Sequence, residues 1–351
     1  MRVDIEARRD KILRIIINTY IVTGNPVSSR MICKQYRLDL CPASVRNVMA
    51  DLEERGYITH MHTSAGRVPT DKGYRFYVDK LVEHSGLTPQ ERVTIDKEYL
   101  EKRRALEEVI HKTSGILSNF TNYIGMVSQP ALERSRFKRI QFTQLSRHLV
   151  CVTLVTNAGI TKSSVIGFNL SIDADNLQRI ESFLNSQLED TPLTQVKIKL
   201  NKLLIQERNA FFHVLKQAID LIDLSALIED RMRFSLEGVS NVLSFPEFED
   251  SQMVRSLMRV IDEKLSLAEL VQEVIESEPA QRKVKVFIGE ENPGVASMSG
   301  CAAILIGYQV EGEIVGALGI IGPKRMDYGK SIATVQYVAG ILSNVLSEFS
   351  L

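Results

Sequence analysis

Apolar positions between residues 12 and 58 recur at helical spacing in three separate runs. Ile12, Leu13, Ile15, Ile16 and Ile17, then Tyr20 and Ile21, predict a first helix with a broad apolar face, ended by Thr23-Gly-Asn-Pro26. Residues 27–36 predict a second helix, with Ser28 or Ser29 as its cap. After a short turn at 37–40 comes the third, with Val45, Val48, Met49 and Leu52 on one face. Pro42 suits its first position, where a missing N–H costs nothing, and Gly56 suits the left-handed residue past its end. Ala43, Ser44, Arg46, Asn47, Ala50 and Asp51 fill the outer arc. Small residues let a backbone approach a groove floor, and Arg and Asn match guanine and adenine edges with paired donors and acceptors. This is the layout of a helix-turn-helix recognition helix; any amphipathic surface helix shares its apolar stripe, and the flanks separate the two readings.

Those flanks predict a wing. Residues 57–60 read as a strand, and 61–69 as a polar loop with Gly66, Arg67 and His62. Loops of this kind follow the DNA backbone or dip into the minor groove. Thr70 caps a fourth helix. The expected base-reading residues are Ser44, Arg46 and Asn47. Ser28, Ser29, Arg30, His62, Thr63, Ser64, Arg67, Lys72 and Arg75 are expected at phosphates or in the wing. Arg75 also has a structural reading, because Tyr74, Phe76 and Tyr77 beside it are apolar enough to pack the head. His60 and His62 have no third ligand near them in sequence, so no metal is expected there.

Beyond residue 86 the pattern changes. Thr88-Pro-Gln-Glu91 is a capping box, opening a charged helical stretch that runs with breaks to about residue 127. Its stripe is narrow (Leu100, Leu106, Val109, Ile110, Leu117, Phe120, Ile124), as expected of a connector with a solvated charged face. Residues 137–145, 149–156 and 160–168 predict strands, the last two joined at Asn157-Ala-Gly159. Residues 283–289, 302–309 and 314–321 predict three more, with a turn at Glu311-Gly312, before a final helix over 331–349. Six strands flanked by helices suggest one α+β domain assembled from two separated segments. Residues 171–281 read as largely helical; the run 211–224 is either a core helix or a face buried against another chain.

With 351 residues the chain is too long for one ordinary core. Its net charge is zero, yet residues 1–80 hold 14 Lys and Arg against 9 Asp and Glu, a basic head on an acidic remainder. No apolar run spans a membrane and no signal peptide opens the chain, so a cytoplasmic location without membrane contact is expected. Four scattered cysteines predict reduced thiols, with Cys41 at a helix start as the one redox candidate. The sequence carries no P-loop, no His-Glu-x-x-His pair and no nucleophile elbow, and Glu290 and Glu291 diverge rather than form an acid/base pair. No enzymatic activity and no cofactor are expected.

The runs 43–57 and 62–78 together resemble the bacterial heat-inducible transcription repressor family, HrcA. Further matches are Phe234-Ser-Leu-Glu-Gly, Phe245-Pro-Glu-Phe248, Val286-Phe-Ile-Gly-Glu-Glu-Asn292 and Gly322-Pro-Lys-Arg-Met-Asp-Tyr328, so the likeness spans nearly the whole chain. Cys41 stands where the family usually has Ser, and Met61 where it usually has Pro; the first weakens a cap and the second loosens the wing entry. The resemblance implies a multidomain α+β protein. It would comprise a winged helix-turn-helix head (1–86), a helical connector (87–130), a GAF-like domain (131–170 and 282–351) and an inserted dimerisation domain (171–281). It also implies repression of chaperone operons through an inverted-repeat operator, CIRCE, bound by a homodimer whose activity needs the GroE chaperonin. The dimer contact then falls on Phe212, Leu215, Ile219 and Ile222. Two alternatives stay open: a small effector held by the GAF-like domain, and a winged helix used for protein contacts instead of DNA.

Overall fold

The computed structural model describes residues 2–36, 41–60, 66–82, 86–99, 105–131, 134–146, 148–167, 174–206, 233–263, 265–276, 283–291 and 298–348. Among these residues helix and sheet are mixed. The N-terminal part holds α1 (Arg2–Thr23), α2 (Ser29–Gln35) and α3 (Pro42–Glu54). A two-stranded antiparallel sheet follows, β1 (Ile58–His60) with β2 (Arg67–Pro69), and then α4 (Asp71–Phe76), continued by a π-helical turn over Tyr77–Leu81. Strand β2 lies in the stretch expected to be loop. Its backbone is claimed from two sides, since Arg67 also exchanges both backbone hydrogen bonds with Val27. Ile12, Leu13, Ile16 and Ile17 of α1 are fully buried with Val45 and Leu52 of α3, so the helical periodicity of the sequence is the packing pattern.

The body is a five-stranded antiparallel sheet in the order β7 (Phe234–Glu237), β3 (Ile124–Ser128), β10 (Glu313–Pro323), β9 (Cys301–Val310), β8 (Lys285–Ile288). Glu311 and Gly312 both take positive φ, giving the tight turn expected between β9 and β10. Helices α6 (Leu106–Thr121) and α12 (Tyr328–Glu348) pack together on this sheet. Strands β9 and β10 are buried along almost their whole length, with α11 (Leu265–Glu276) also lying against them. Two short helices, α9 (Val239–Leu243) and α10 (Ser251–Glu263), precede α11.

Three expectations need correction here. Residues 124–128 form a strand, not the end of a connector helix. Asn122, in the left-handed region, ends α6, and all five residues of β3 are buried, so no alternation marked them as sheet. Helix α6 is not a free connector; Val109, Ile110, Ile116 and Leu117 are buried in the main core. Helix α5 (Pro89–Tyr99) also rests on the body, through Glu91 to Lys330 at 2.9 Å and Arg92 over the Tyr337 ring. The expected capping box at its start is present, with Thr88 N donating to Glu91 at 2.9 Å and Glu91 N to Thr88 Oγ1 at 3.2 Å.

The third correction concerns which strands share a sheet. Among the described residues β4 (Phe137–Ser146), β5 (Leu149–Thr156) and β6 (Thr161–Gly167) pair only with one another. One face of that sheet packs on α7 (Ala174–Leu188) and α8 (Leu193–Gln206), in a separate core of Phe137, Ile140, Val152, Ile180, Leu184 and Leu200 among others. Residues 234–275, expected within the 171–281 insert, instead supply β7 and buried Val242, Leu257 and Leu270 to the main core. Alternation identifies a strand but not its partners, and the six strands expected in one domain divide between two sheets.

Candidate nucleic-acid interface

Helix α3 is oriented by what it buries. Val45, Met49 and Leu52 face the head core and Val48 is half-buried, while Ala43, Arg46, Asn47, Ala50 and Asp51 are exposed. Pro42 occupies the first helical turn and Gly56, at φ +75°, follows its end. Cys41 is the cap residue but its side chain makes no capping hydrogen bond. Its Sγ lies 3.3 Å from Ser44 Oγ, and this contact, with the Ser44 and Ala43 backbone, lowers the exposed thiol below its ordinary pKa. Ser44 is half-buried and engaged with that sulfur. Arg46 and Asn47 point outward and make no hydrogen bond or ion pair with a described residue.

Ser28 is the cap of α2, accepting from Met31 N at 3.2 Å, and Arg30 beside it is exposed. Ser29 is 8 % exposed and turned into the head where the apolar face of α2 packs, so its hydroxyl does not face outward as expected. Arg67 is held by Glu53 of α3, with both Nε and a terminal nitrogen 2.8 Å from Oε2. His60 Nδ1 lies 2.5 Å from the other oxygen of Glu53. Burial alone would raise the Glu53 carboxyl, but the hydrogen bond from His60 and the charge of Arg67 outweigh it and hold it below its usual range. Glu53 thus ties both strands of the hairpin to the end of α3, a role no local pattern in the sequence marks. Lys72 donates to the Arg55 carbonyl at 2.9 Å and lies over the Tyr57 ring, closing the C-terminal end of α3.

Arg75 also departs from the expected placement. Its guanidinium faces the body, donating to both carboxylate oxygens of Glu291 and to the Val286 carbonyl, with Asp79 at 3.4 Å. The Glu291 hydrogen bonds raise its pKa further. It follows the structural reading rather than the phosphate one, because a bidentate carboxylate already fills the fork. His62, Thr63 and Ser64, and the expected dimer residues Phe212, Leu215, Ile219 and Ile222, lie outside the described residues. What the described head presents outward is the N-terminal half of α3 with Arg46 and Asn47, next to the start of α2 with Ser28 and Arg30, and the Arg67 hairpin.

The comparisons agree with one another. The family model described as HrcA protein C terminal domain matches residues 107–332. A protein of Geobacter sulfurreducens named heat-inducible transcription repressor HrcA is 38 % identical over 343 residues, covering 98 % of each chain. Its namesake in Pelotomaculum thermopropionicum is 36 % identical, over 98 % of this chain and 97 % of its own. A crystal structure of a hypothetical protein has a similar fold, with a TM-score of 0.59 at 23 % identity over 97 % of this chain and 98 % of that one. No described helix is long and apolar enough to cross a membrane. The chain belongs to the HrcA family of heat-inducible transcription repressors.

Proposed function

We propose that this protein represses chaperone operons by binding an inverted-repeat, CIRCE-like operator as a homodimer. The observation that carries the reading is α3: apolar on the side facing the head core, and outward a bare arc of small residues with Arg46 and Asn47. On this reading the N-terminal 82 residues act as a winged helix-turn-helix. Arg46 and Asn47 read base edges, and Ser44 sets how closely the helix start approaches. Arg30 and the Ser28 end of α2 hold phosphates, while Arg67 and Lys72 have donors left beyond their internal partners. His62, Thr63 and Ser64 belong to the wing contact.

Two heads on an inverted repeat require a two-fold axis. We assign the self-contact to the unit formed by β4–β6 with α7 and α8, and read the main body, with its sheet and α6, as the GAF-like domain. The sheet face turned away from α7 and α8 exposes Leu149 and Val165 beside Thr153, Thr161 and Ser163, with Arg139 of β4 at its edge, a surface suited to a copy of itself. The small-effector reading has less support, because β9 and β10, central to the body sheet, are filled by side chains on both faces.

Dependence on the GroE chaperonin fits the topology. The body sheet joins residues 124–128, 234–237, 285–288, 301–310 and 313–323, so its strands must close long loops before they gain contacts, which favours slow, aggregation-prone folding. Heat would then divert the chaperonin and lower the amount of active repressor. The experiment is titration of the active fraction with excess inverted-repeat DNA at two salt concentrations, with and without chaperonin. Chaperonin should raise the active fraction and leave the affinity unchanged. A complete active fraction without it, with affinity falling reversibly on heating, would make the protein its own thermometer instead. Absence of binding at both salts would favour the protein-contact reading of the head.

A further inference from the structure

Three segments distant from the recognition helix in sequence end at the head. Helix α4 stands between α3 and the body and uses two sides. Towards the recognition helix it turns Lys72, bonded to the Arg55 carbonyl, and Phe76, 5.0 Å from the Tyr57 ring. Thr70, its cap, also donates to the Gly56 carbonyl at 2.6 Å. Towards the body it turns Asp71, Tyr74 and Arg75, spaced as one helical face. Asp71 meets Lys324 at 2.5 Å, Arg75 meets Glu291, and the Tyr74 and Tyr77 rings flank Tyr328 at 6.0 and 6.3 Å. Beside them Arg325 donates to the Ile21 carbonyl near the end of α1 at 3.1 Å while Glu247 holds its other nitrogens. The approach is close: Gly289 has φ +57°, and a Cβ there would lie 1.9 Å from an Asp71 carboxylate oxygen.

We infer that this contact between α4 and the body sets the spacing of operator half-sites, with Asp71, Arg75, Glu247, Glu291, Lys324 and Arg325 as positioning residues for DNA recognition. The inference rests on the dimeric inverted-repeat reading proposed above. A head on a loose tether would reach half-sites at many separations, since tethering sets only an effective concentration. Each added base pair shifts a half-site along the axis by about 3.4 Å and turns it by about 35°. A head held at several points by directional hydrogen bonds cannot follow both changes. The ion pairs from α4 are partly exposed, so singly each adds little stability. Their combined effect is orientation, and they transmit it to α3 through Lys72, Thr70 and Phe76.

The test uses the full chain and the double variant Asp71→Asn with Glu291→Gln, which removes both carboxylate charges with little change of shape. Binding is measured to a single half-site duplex and to inverted repeats whose spacer is changed by one to four base pairs. The wild type should lose about tenfold or more in affinity on a one-base-pair change. The variant should bind all spacers within about threefold of one another while its single half-site affinity stays unchanged. The charge swap Asp71→Lys with Lys324→Asp should keep the sharp spacing preference. A variant that keeps the wild-type spacing profile overturns the inference, as does one whose half-site affinity falls in parallel, since the contacts would then only keep the head folded. A wild type that binds no inverted repeat takes the proposed function down, and this inference with it.

Discussion

Arg46 on α3 and Arg75 on α4 belong to the same head, and their surroundings are opposite. Arg46 is exposed and makes no ion pair or hydrogen bond with a described residue, whereas Arg75 is clamped by Glu291 and the Val286 carbonyl. The same division separates Asn47 from Asp71. On one side of the head Arg46 and Asn47 keep their hydrogen-bonding groups open, and on the other Asp71 and Arg75 are matched by Lys324 and Glu291 of the body. The positive charge balance of residues 1–80 is left unchanged by the body, because Arg75 is matched by Glu291 while Asp71 is matched by Lys324. Function is read from the side chains whose hydrogen-bonding capacity is left open.

The contrast is tested most strongly in stability. Arg325 is 11 % exposed, and Arg325→Ala would leave Glu247 without its partner and the Ile21 carbonyl without its donor. The expected loss is about 2–4 kcal/mol in urea unfolding, below that of a fully buried pair because Glu247 keeps some water contact. Arg46→Ala should stay within about 0.5 kcal/mol in the same measurement. Equal effects would erase the difference between the two sides.

In DNA binding the order reverses. Asn47→Ala should weaken operator binding by about 1–3 kcal/mol and relax preference at a few bases, with unfolding unchanged. Should Asn47→Ala leave affinity and selectivity intact while substitutions at Ala43 or Ala50 matter, a different arc of α3 meets the groove. Salt dependence gives a finer separation. Arg30→Ala should lower the slope of log affinity against log salt by about one unit, and Arg75→Ala should leave that slope unchanged. A lowered slope for Arg75→Ala would mean that the head leaves the body when it binds DNA.

The smallest effect concerns acid. Glu91 is pulled down to about 2, first by the backbone hydrogen bond from Thr88 and then by Lys330 and the Thr88 hydroxyl. A depressed carboxyl stabilises the fold above its unfolded pKa, about 4.3, and that contribution is lost as the pH falls towards the folded value. Glu91→Gln should therefore flatten the loss of stability between about pH 4.5 and 2, at a cost below about 1 kcal/mol at neutral pH because the pair is exposed. Thermal melting across that pH range decides it; parallel curves for the two proteins would assign the acid response to other groups, Glu53 among them.

The fold was legible wherever the information is local. The start of α3 at Pro42, its end at Gly56, its apolar phase, the capping box at Thr88 and Glu91 and the turn at Glu311 and Gly312 each depend on residues a few positions apart. Three-residue β2 was hidden because its pairing with β1 and Val27, not its composition, makes it a strand. β3 was hidden because it is buried on both faces and alternates nothing. Ser29 and Arg75 face inward and towards the body because the side on which a polar residue lies depends on neighbours outside its own segment.

The sequence by itself determined the helices of the head, the identity of the outward arc on α3 and the alternating strands, because backbone capping and hydrophobic period are written within one or two turns of chain. Only the tertiary structure decided that β4–β6 stand apart from the body sheet, and that Arg75, Lys324 and Arg325 join head to body. Arg75 and Glu291 are 216 positions apart, and each of their segments folds locally without specifying the other. A long-range ion pair depends on two surfaces already built and brought together, and one chain's residue order states each surface but not their meeting.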